Sequence, residues 1–135
     1  TYAGDLSVQQ AWELLSEDPD AVLVDVRTQA EGTVGIPDLS SLEKRAVLVE
    51  WVGFPDGARN TRFVDQLREA GISDEQTVVF LCRSGQRSIG AAEAATADGV
   101  RTAYNIAEGF EGGLDSEGHR GAVGWKAAGL PWRQS

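Results

Sequence analysis

Cys82 is the only cysteine in the chain, and it opens the run Cys82-Arg83-Ser84-Gly85-Gln86-Arg87-Ser88. Thr77 to Leu81, just before it, is apolar and β-branched and reads as a buried strand. The small-residue stretch from Ser88 to Asp98, stopped by Gly99, reads as a helix. The thiol is therefore expected at the carboxyl end of a strand, in a tight loop that opens onto a helix N-terminus. Converging backbone N–H groups, the helix dipole and nearby guanidinium stabilise a thiolate there, below the reference pKa of about 8.5. Such a thiol is a nucleophile. Gly85 lets the loop curl, Arg83 and Arg87 add charge at its rim, and Ser88 is placed to cap the next helix. Whatever atom rides on the Cys82 sulfur would sit inside the loop from Arg83 through Ser84, Gly85 and Gln86 to Arg87. The C-x4-R spacing carries little alone, because ten residues of the chain are Arg. The strand before, the glycine within and the helix after give it meaning. The competing reading is an inert, buried cysteine at a strand end.

The elements that must position this loop follow from hydrophobic patterning. Ser7 with Gln10 forms a capping box, opening a helix whose apolar side is Val8, Ala11, Trp12, Leu14 and Leu15 and which Asp18-Pro19-Asp20 ends. Ala21 to Val26 is an apolar run suited to a buried parallel strand, and Ala46 to Trp51 is a second strand candidate. Thr28 to Ser41 between them reads as loop. Asn60 is expected to cap a helix through Ala70, with Phe63, Val64 and Leu67 inward and Gly71 just past its end. Thr102 to Ile106 is a further strand. A glycine-rich stretch from Gly109 to Gly124 and a short final helix ending at Gly129-Leu130-Pro131 complete the chain. Strands alternating with helices over short connections predict an α/β fold, a doubly wound parallel sheet with helices on both faces. Its functional crevice lies outside the carboxyl ends of the strands.

The bulk numbers narrow the function. At 135 residues the chain is expected to be one domain, 1–135, with a core that needs no disulfide or metal. Twelve basic against 21 acidic residues give a net charge of −9, a field that repels nucleic acid and anionic membrane. An anionic substrate must therefore be attracted locally. One Cys excludes an internal disulfide, and one Cys with one His cannot build a zinc site. No metal and no cofactor are expected. No apolar run reaches membrane-spanning length and no signal peptide is visible, so the cytoplasm is the default location. The chain begins at Thr1 rather than Met, as expected if an upstream segment has been trimmed.

Several stretches together resemble the rhodanese (sulfurtransferase) family: Val22-Leu23-Val24-Asp25-Val26-Arg27 with Glu31 following, Gly35-Ile36-Pro37, the loop from Cys82 to Ser88, Asn105-Ile106, Gly109-Phe110-Glu111-Gly112, and Gly129-Leu130-Pro131-Trp132. The resemblance covers almost the whole chain. It implies a rhodanese-like doubly wound sheet and a persulfide on Cys82, with Asp25, Arg27 and Ser88 supporting the site. The implied donor is a small anionic sulfur compound such as thiosulfate, and the acceptor is cyanide, a thiol or a protein. The family commonly has His before the Ile-Pro and Gly-Ala after it. Here Gly35 precedes and Asp38-Leu39 follows, and the stretch from Gly112 to Trp125 is longer than usual. Both departures touch loops expected to rim the pocket, and so bear on the substrate. The Cys-Arg-x-Gly opening of the loop resembles thiosulfate-using members. Two rivals stand beside this reading: a phosphatase or arsenate reductase of the related C-x5-R type, and a non-catalytic or carrier module serving a protein partner.

Other residues are expected to be structural. Asp25 and Arg27 form an ion pair that braces the site, His119 is a solvated loop residue, and Trp12 and Trp125 pack. Trp51, Phe54 and Phe110 either complete the core or line the pocket mouth. Glu108, Glu111, Asp115 and Glu117 belong to a solvated acidic stretch.

Overall fold

The computed structural model describes residues 2–28, 31, 35–52, 57–113 and 123–133. Along the chain the elements are β1 (Gly4–Leu6), α1 (Val8–Glu17), β2 (Val22–Asp25), β3 (Ile36–Pro37), a 3-10 turn (Ser40–Leu42), β4 (Val47–Leu48), α2 (Phe63–Glu69), β5 (Thr77–Leu81), α3 (Arg87–Ala97), β6 (Thr102–Ile106) and β7 (Trp132–Arg133). Five strands form one parallel sheet in the order β1-β6-β5-β2-β4. The apolar runs took its centre, as patterning predicts, because a strand covered on both faces needs apolar residues at successive positions. Val78, Val79, Phe80 and Leu81 are all fully buried.

The alternation splits these side chains between two cores. Val24, Val78 and Phe80 face α2 and α3, meeting Phe63, Leu67, Ala91, Ala92 and Ala95. Leu23, Val79, Leu81 and Ile106 face α1, meeting Val8, Ala11 and Leu15 together with Phe110 and Trp125. Helices therefore cover both faces, and the fold is the expected doubly wound α/β sheet. Among the described residues no helix is long and apolar enough to cross a membrane.

Local differences from the sequence reading have physical causes. The Ser7–Gln10 capping box is present as expected. Asn60 does not cap α2. Its Oδ1 accepts the Arg62 N–H in an Asx turn and its Nδ2 donates to Glu50 O and Gln66 Oε1, so the helix starts later, at Phe63. Gln86, not Ser88, is the N-cap of α3, which places Ser88 inside the first turn with its hydroxyl free for other partners. The last helix reduces to one turn, in which Ala128 N–H donates to Gly124 O, before the chain pairs β7 antiparallel to β3. In the second strand candidate only Val47–Leu48 belongs to the ladder. Its bonding to β2's end continues through Val49 N–H to Asp25 O and Trp51 N–H to Val26 O, both 3.1 Å.

Candidate active site

The parallel register brings three strand ends to one edge. Leu81 lies beside Asp25, Asn105 beside Phe80, and Val26 N–H donates to Leu81 O at 2.8 Å. Cys82 is the next residue after β5, so its thiol enters the crevice between the ends of β2 and β6. The loop that follows is clamped against the turn after β6 by main-chain hydrogen bonds. Phe110 N–H donates to Cys82 O at 2.8 Å, and the N–H groups of Glu111 and Gly112 donate to Arg83 O at 3.0 and 3.1 Å. Glycine is required on both sides of this contact. Gly85 has φ +95°, and a Cβ there would lie 1.9 Å from Ala107 O; Gly109 has φ +70°, and a Cβ there would lie 2.5 Å from Arg83 O.

The sulfur sits among donors. Gly85 N–H donates to Cys82 Sγ at 3.1 Å, and the Ser88 hydroxyl lies 3.2 Å from the same atom. Cys82 and Ser88 are buried. No side chain caps α3 at Gln86, so this eleven-residue helix turns the positive end of its dipole to the loop. Ser88 also bonds Asn105 Oδ1, and Asn105 Nδ2 donates to Gly85 O at 3.1 Å and to Asp5 Oδ1 at 3.0 Å. Ser84 is half-buried and Gln86 exposed.

Each arginine near the thiol has an acidic partner. Arg87 forms a fork with Glu31, Nη1 to Oε1 and Nη2 to Oε2, both 2.7 Å, and Glu31 also accepts the Thr28 N–H and hydroxyl at 3.0 Å. Partial burial works against the Glu31 charge, but the Arg87 fork and the Thr28 donors outweigh it and lower its carboxyl to about 2. Arg87 is raised in turn, first by its hydrogen bonds to Glu31, against desolvation, and then by the charges of Glu31, Cys82 and Asp25. Arg83, part-buried at the loop's start, pairs with Glu111 at 3.0 Å, so the two rim arginines are not free charges.

Asp25 and Arg27 form the expected bracing ion pair. Arg27 Nε donates to Asp25 Oδ1 at 3.0 Å, Nη2 donates to Asp25 Oδ2 and Gly35 O at 2.7 Å each, and both residues are buried. The guanidinium lies 4.3 Å over the Phe110 ring, which ties the end of β2 to the turn that clamps the loop.

Phe110 and Trp125 are fully buried and complete the core, with Trp12 edge-on to Trp125 at 5.8 Å. Trp51 is half-buried against Phe63. Phe54, Asp115, Glu117 and His119 lie outside the described residues. Among the described residues no group of three His, Cys, Asp or Glu side chains could hold a metal ion. The sequence reading did not assign Glu31, Thr28, Asn105 or Asp5 to the site. Glu31 and Asn105 stood in the motif stretches, and that was their only signal.

The family model described as "STR4 middle domain" matches residues 3–135. The chain belongs to this family and is a rhodanese-like domain. The crystal structure of Rv0390 from M. tuberculosis superposes on this rhodanese-like domain with a TM-score of 0.92, 59% identity and full coverage of both chains. The polysulfide-sulfur transferase homodimer of Wolinella succinogenes superposes with a TM-score of 0.65 and 25% identity, over 96% of this chain and 77% of that one. The rice (Oryza sativa subsp. indica) chloroplastic protein THYLAKOID RHODANESE-LIKE is 32% identical over 131 residues, which are 96% of this chain and 25% of the rice protein.

The Glu31–Arg87 fork sets an acid limit on the rhodanese-like domain. The folded carboxyl is lowered from 4.5 to about 2, so its stabilisation is present above about pH 4.5 and is lost as the pH falls toward 2. The side chain is 25% exposed, so water screens the pair and the expected contribution is about 1–2 kcal/mol. Urea unfolding at pH 5.5 and pH 2.5 checks it. Wild type should lose about 1–2 kcal/mol more than Glu31→Gln over that interval, and equal losses would refute the assignment.

Proposed function

We propose that this rhodanese-like domain is a sulfurtransferase that works by covalent, two-step chemistry on Cys82, with residues 1–135 acting as one domain. The observation that carries this reading is the seat of the Cys82 sulfur. A backbone N–H and a hydroxyl point at Sγ from within a clamped loop, at an uncapped helix N-terminus. Such a seat favours negative charge on sulfur without a metal or an organic cofactor. The Wolinella protein's name, a polysulfide-sulfur transferase, supports the reaction class.

In the first step the Cys82 thiolate attacks the outer sulfur of a donor such as thiosulfate. The donor's S–S bond breaks and sulfite leaves with the bonding pair. Cys82 keeps the outer sulfur as a persulfide, its charge facing the N–H groups of residues 83–87. In the second step an acceptor attacks that outer sulfur, and the S–S pair returns to Cys82 Sγ. Cyanide would leave as thiocyanate, and a thiol or a partner protein would leave as a persulfide. Only six residues run from Cys82 to Arg87, a span suited to one sulfur atom rather than to a phosphoryl group with three peripheral oxygens, each needing donors at about 2.7–3.1 Å.

Two expectations follow from these roles. Thiosulfate should add one sulfur atom to wild type by intact mass, and cyanide should remove it; Cys82→Ser should show neither the adduct nor thiocyanate formation. Turnover that survives in this variant would end the covalent reading. The arginines should separate. Arg87→Ala removes the fork to Glu31 and should lower kcat about tenfold or more with every donor. Arg83→Ala removes a part-exposed cation at the rim and should mainly raise KM for thiosulfate, as the loss of a ground-state contact does. Matching changes in kcat and KM for the two variants would contradict the division.

A further inference from the structure

The Ser88 hydroxyl has one hydrogen and two acceptors. Cys82 Sγ lies 3.2 Å from Ser88 Oγ, and Asn105 Oδ1 lies closer still. All three residues are at most 1% exposed, so a hydrogen given to one acceptor is withheld from the other. The Asn105 amide is fixed in its orientation. Its Nδ2 donates to Gly85 O and to Asp5 Oδ1, which leaves Oδ1 turned toward Ser88. A polar chain thus runs from Asp5 on β1 through Asn105 on β6 and Ser88 on α3 to the sulfur.

We propose that Asn105, oriented by Asp5, is a positioning residue that sets the acidity of Cys82 by competing with its sulfur for the Ser88 hydrogen. The proposal rests on the reading of Cys82 as the sulfur carrier. While Cys82 is a thiolate, the hydroxyl turns its hydrogen to Sγ. Once the outer sulfur is attached, the charge moves to that terminal atom and the hydrogen turns to Asn105 Oδ1. When an acceptor removes the outer sulfur, the S–S bonding pair returns to Sγ and the hydrogen swings back. No proton leaves Ser88 at any stage; only the direction of its bond changes. The competition has a chemical use, because a thiolate made too acidic is a poorer nucleophile. Asn105 keeps the Ser88 donor from being committed to sulfur in every state.

Among the described residues, the charged groups around the thiol are Arg87 with Glu31, Asp25 with Arg27, Arg83 with Glu111, and Asp5 behind Asn105. All except Asp5 stay in place in the variants below, so a change in titration traces to the polar chain in the Ser88 and Asn105 variants, and Asp5→Ala is read against the same substitution in a Ser88→Ala background.

The test is the pH dependence of Cys82 alkylation by iodoacetamide in the full chain, which reads the thiolate fraction without requiring sulfur transfer. Ser88→Ala should raise the midpoint by about one pH unit, since it removes a hydrogen bond to the charged form. Asn105→Ala should move it the opposite way, down by about half a unit, because Sγ becomes the hydroxyl's sole acceptor. Asp5 is exposed, so Asp5→Ala should fold normally and lower the midpoint by a smaller amount. The Ser88→Ala/Asn105→Ala double variant should titrate like Ser88→Ala alone. A rise in Asn105→Ala would overturn the proposal, since a merely loosened loop weakens the N–H seat. So would an Asn105 effect that survives without Ser88, or an unchanged midpoint in Asn105→Ala. If Asn105→Ala does not fold, Asp5→Ala decides: its downward shift should shrink in a Ser88→Ala background, and an equal shift there, which loss of the charge alone would give, overturns the proposal. The expected shifts in a wild type that takes up no sulfur would uphold this device and sink the sulfur-carrier reading instead.

Discussion

Main chain packed on main chain, between the loop at 82–87 and the turn at 107–112, is the contact on which the site depends. Three N–H groups of the turn are spent on the carbonyls of Cys82 and Arg83, and two glycines make the approach possible. With those carbonyls satisfied from behind, the Gly85 N–H is held toward the sulfur. A side chain at position 85 or 109 would push the two backbones apart and turn the donors away. The rest of the fold supplies the two halves of this contact, since β5 delivers the loop and β6 delivers the turn, held in parallel register by buried ladder bonds.

Charge at the site follows from the same economy. Arg27, Arg83 and Arg87 are each matched by Asp25, Glu111 and Glu31. In a chain of net charge −9, the local preference for an anion therefore rests on the loop's N–H groups and the N-terminus of α3 more than on guanidinium charge. The arginines act as ties. Arg87 fastens the start of α3 to Glu31, and Arg27 fastens the end of β2 to Gly35 and Phe110. Apart from the Ser88 hydroxyl, fixed dipoles do not have to reorganise as charge moves along a sulfur–sulfur bond, which suits the proposed chemistry.

Much of the centre was legible in the sequence. The runs at 22–24 and 78–81 are continuous and apolar because both faces of those strands are covered, and such runs announce themselves, while Thr102-Ala103-Tyr104-Asn105-Ile106 reads as a strand through its β-branched and aromatic residues. β1 did not. Gly4-Asp5-Leu6 has no apolar run, and it pairs only because β6 offers it an edge. β3 and β7 are two residues each and exist through a pairing that no local pattern encodes. At the site, Cys82, Gly85 and Ser88 were legible from one short segment, although Ser88 spends its hydroxyl on the thiol and Asn105 rather than on a helix cap. The bonds from Glu31 to Arg87 and from Asp5 to Asn105 span 56 and 100 residues, and only the fold makes them.

The central claim is that the Cys82 sulfur, in its cradle of N–H groups, carries a second sulfur atom. A crystal structure of the protein equilibrated with thiosulfate, with anomalous data collected for sulfur, tests this most directly. A new anomalous peak is expected about 2.05 Å from Cys82 Sγ, enclosed by the N–H groups of residues 83–87, and it should disappear after brief exposure to cyanide. An unmodified Cys82, with thiosulfate bound intact elsewhere or not at all, would contradict it.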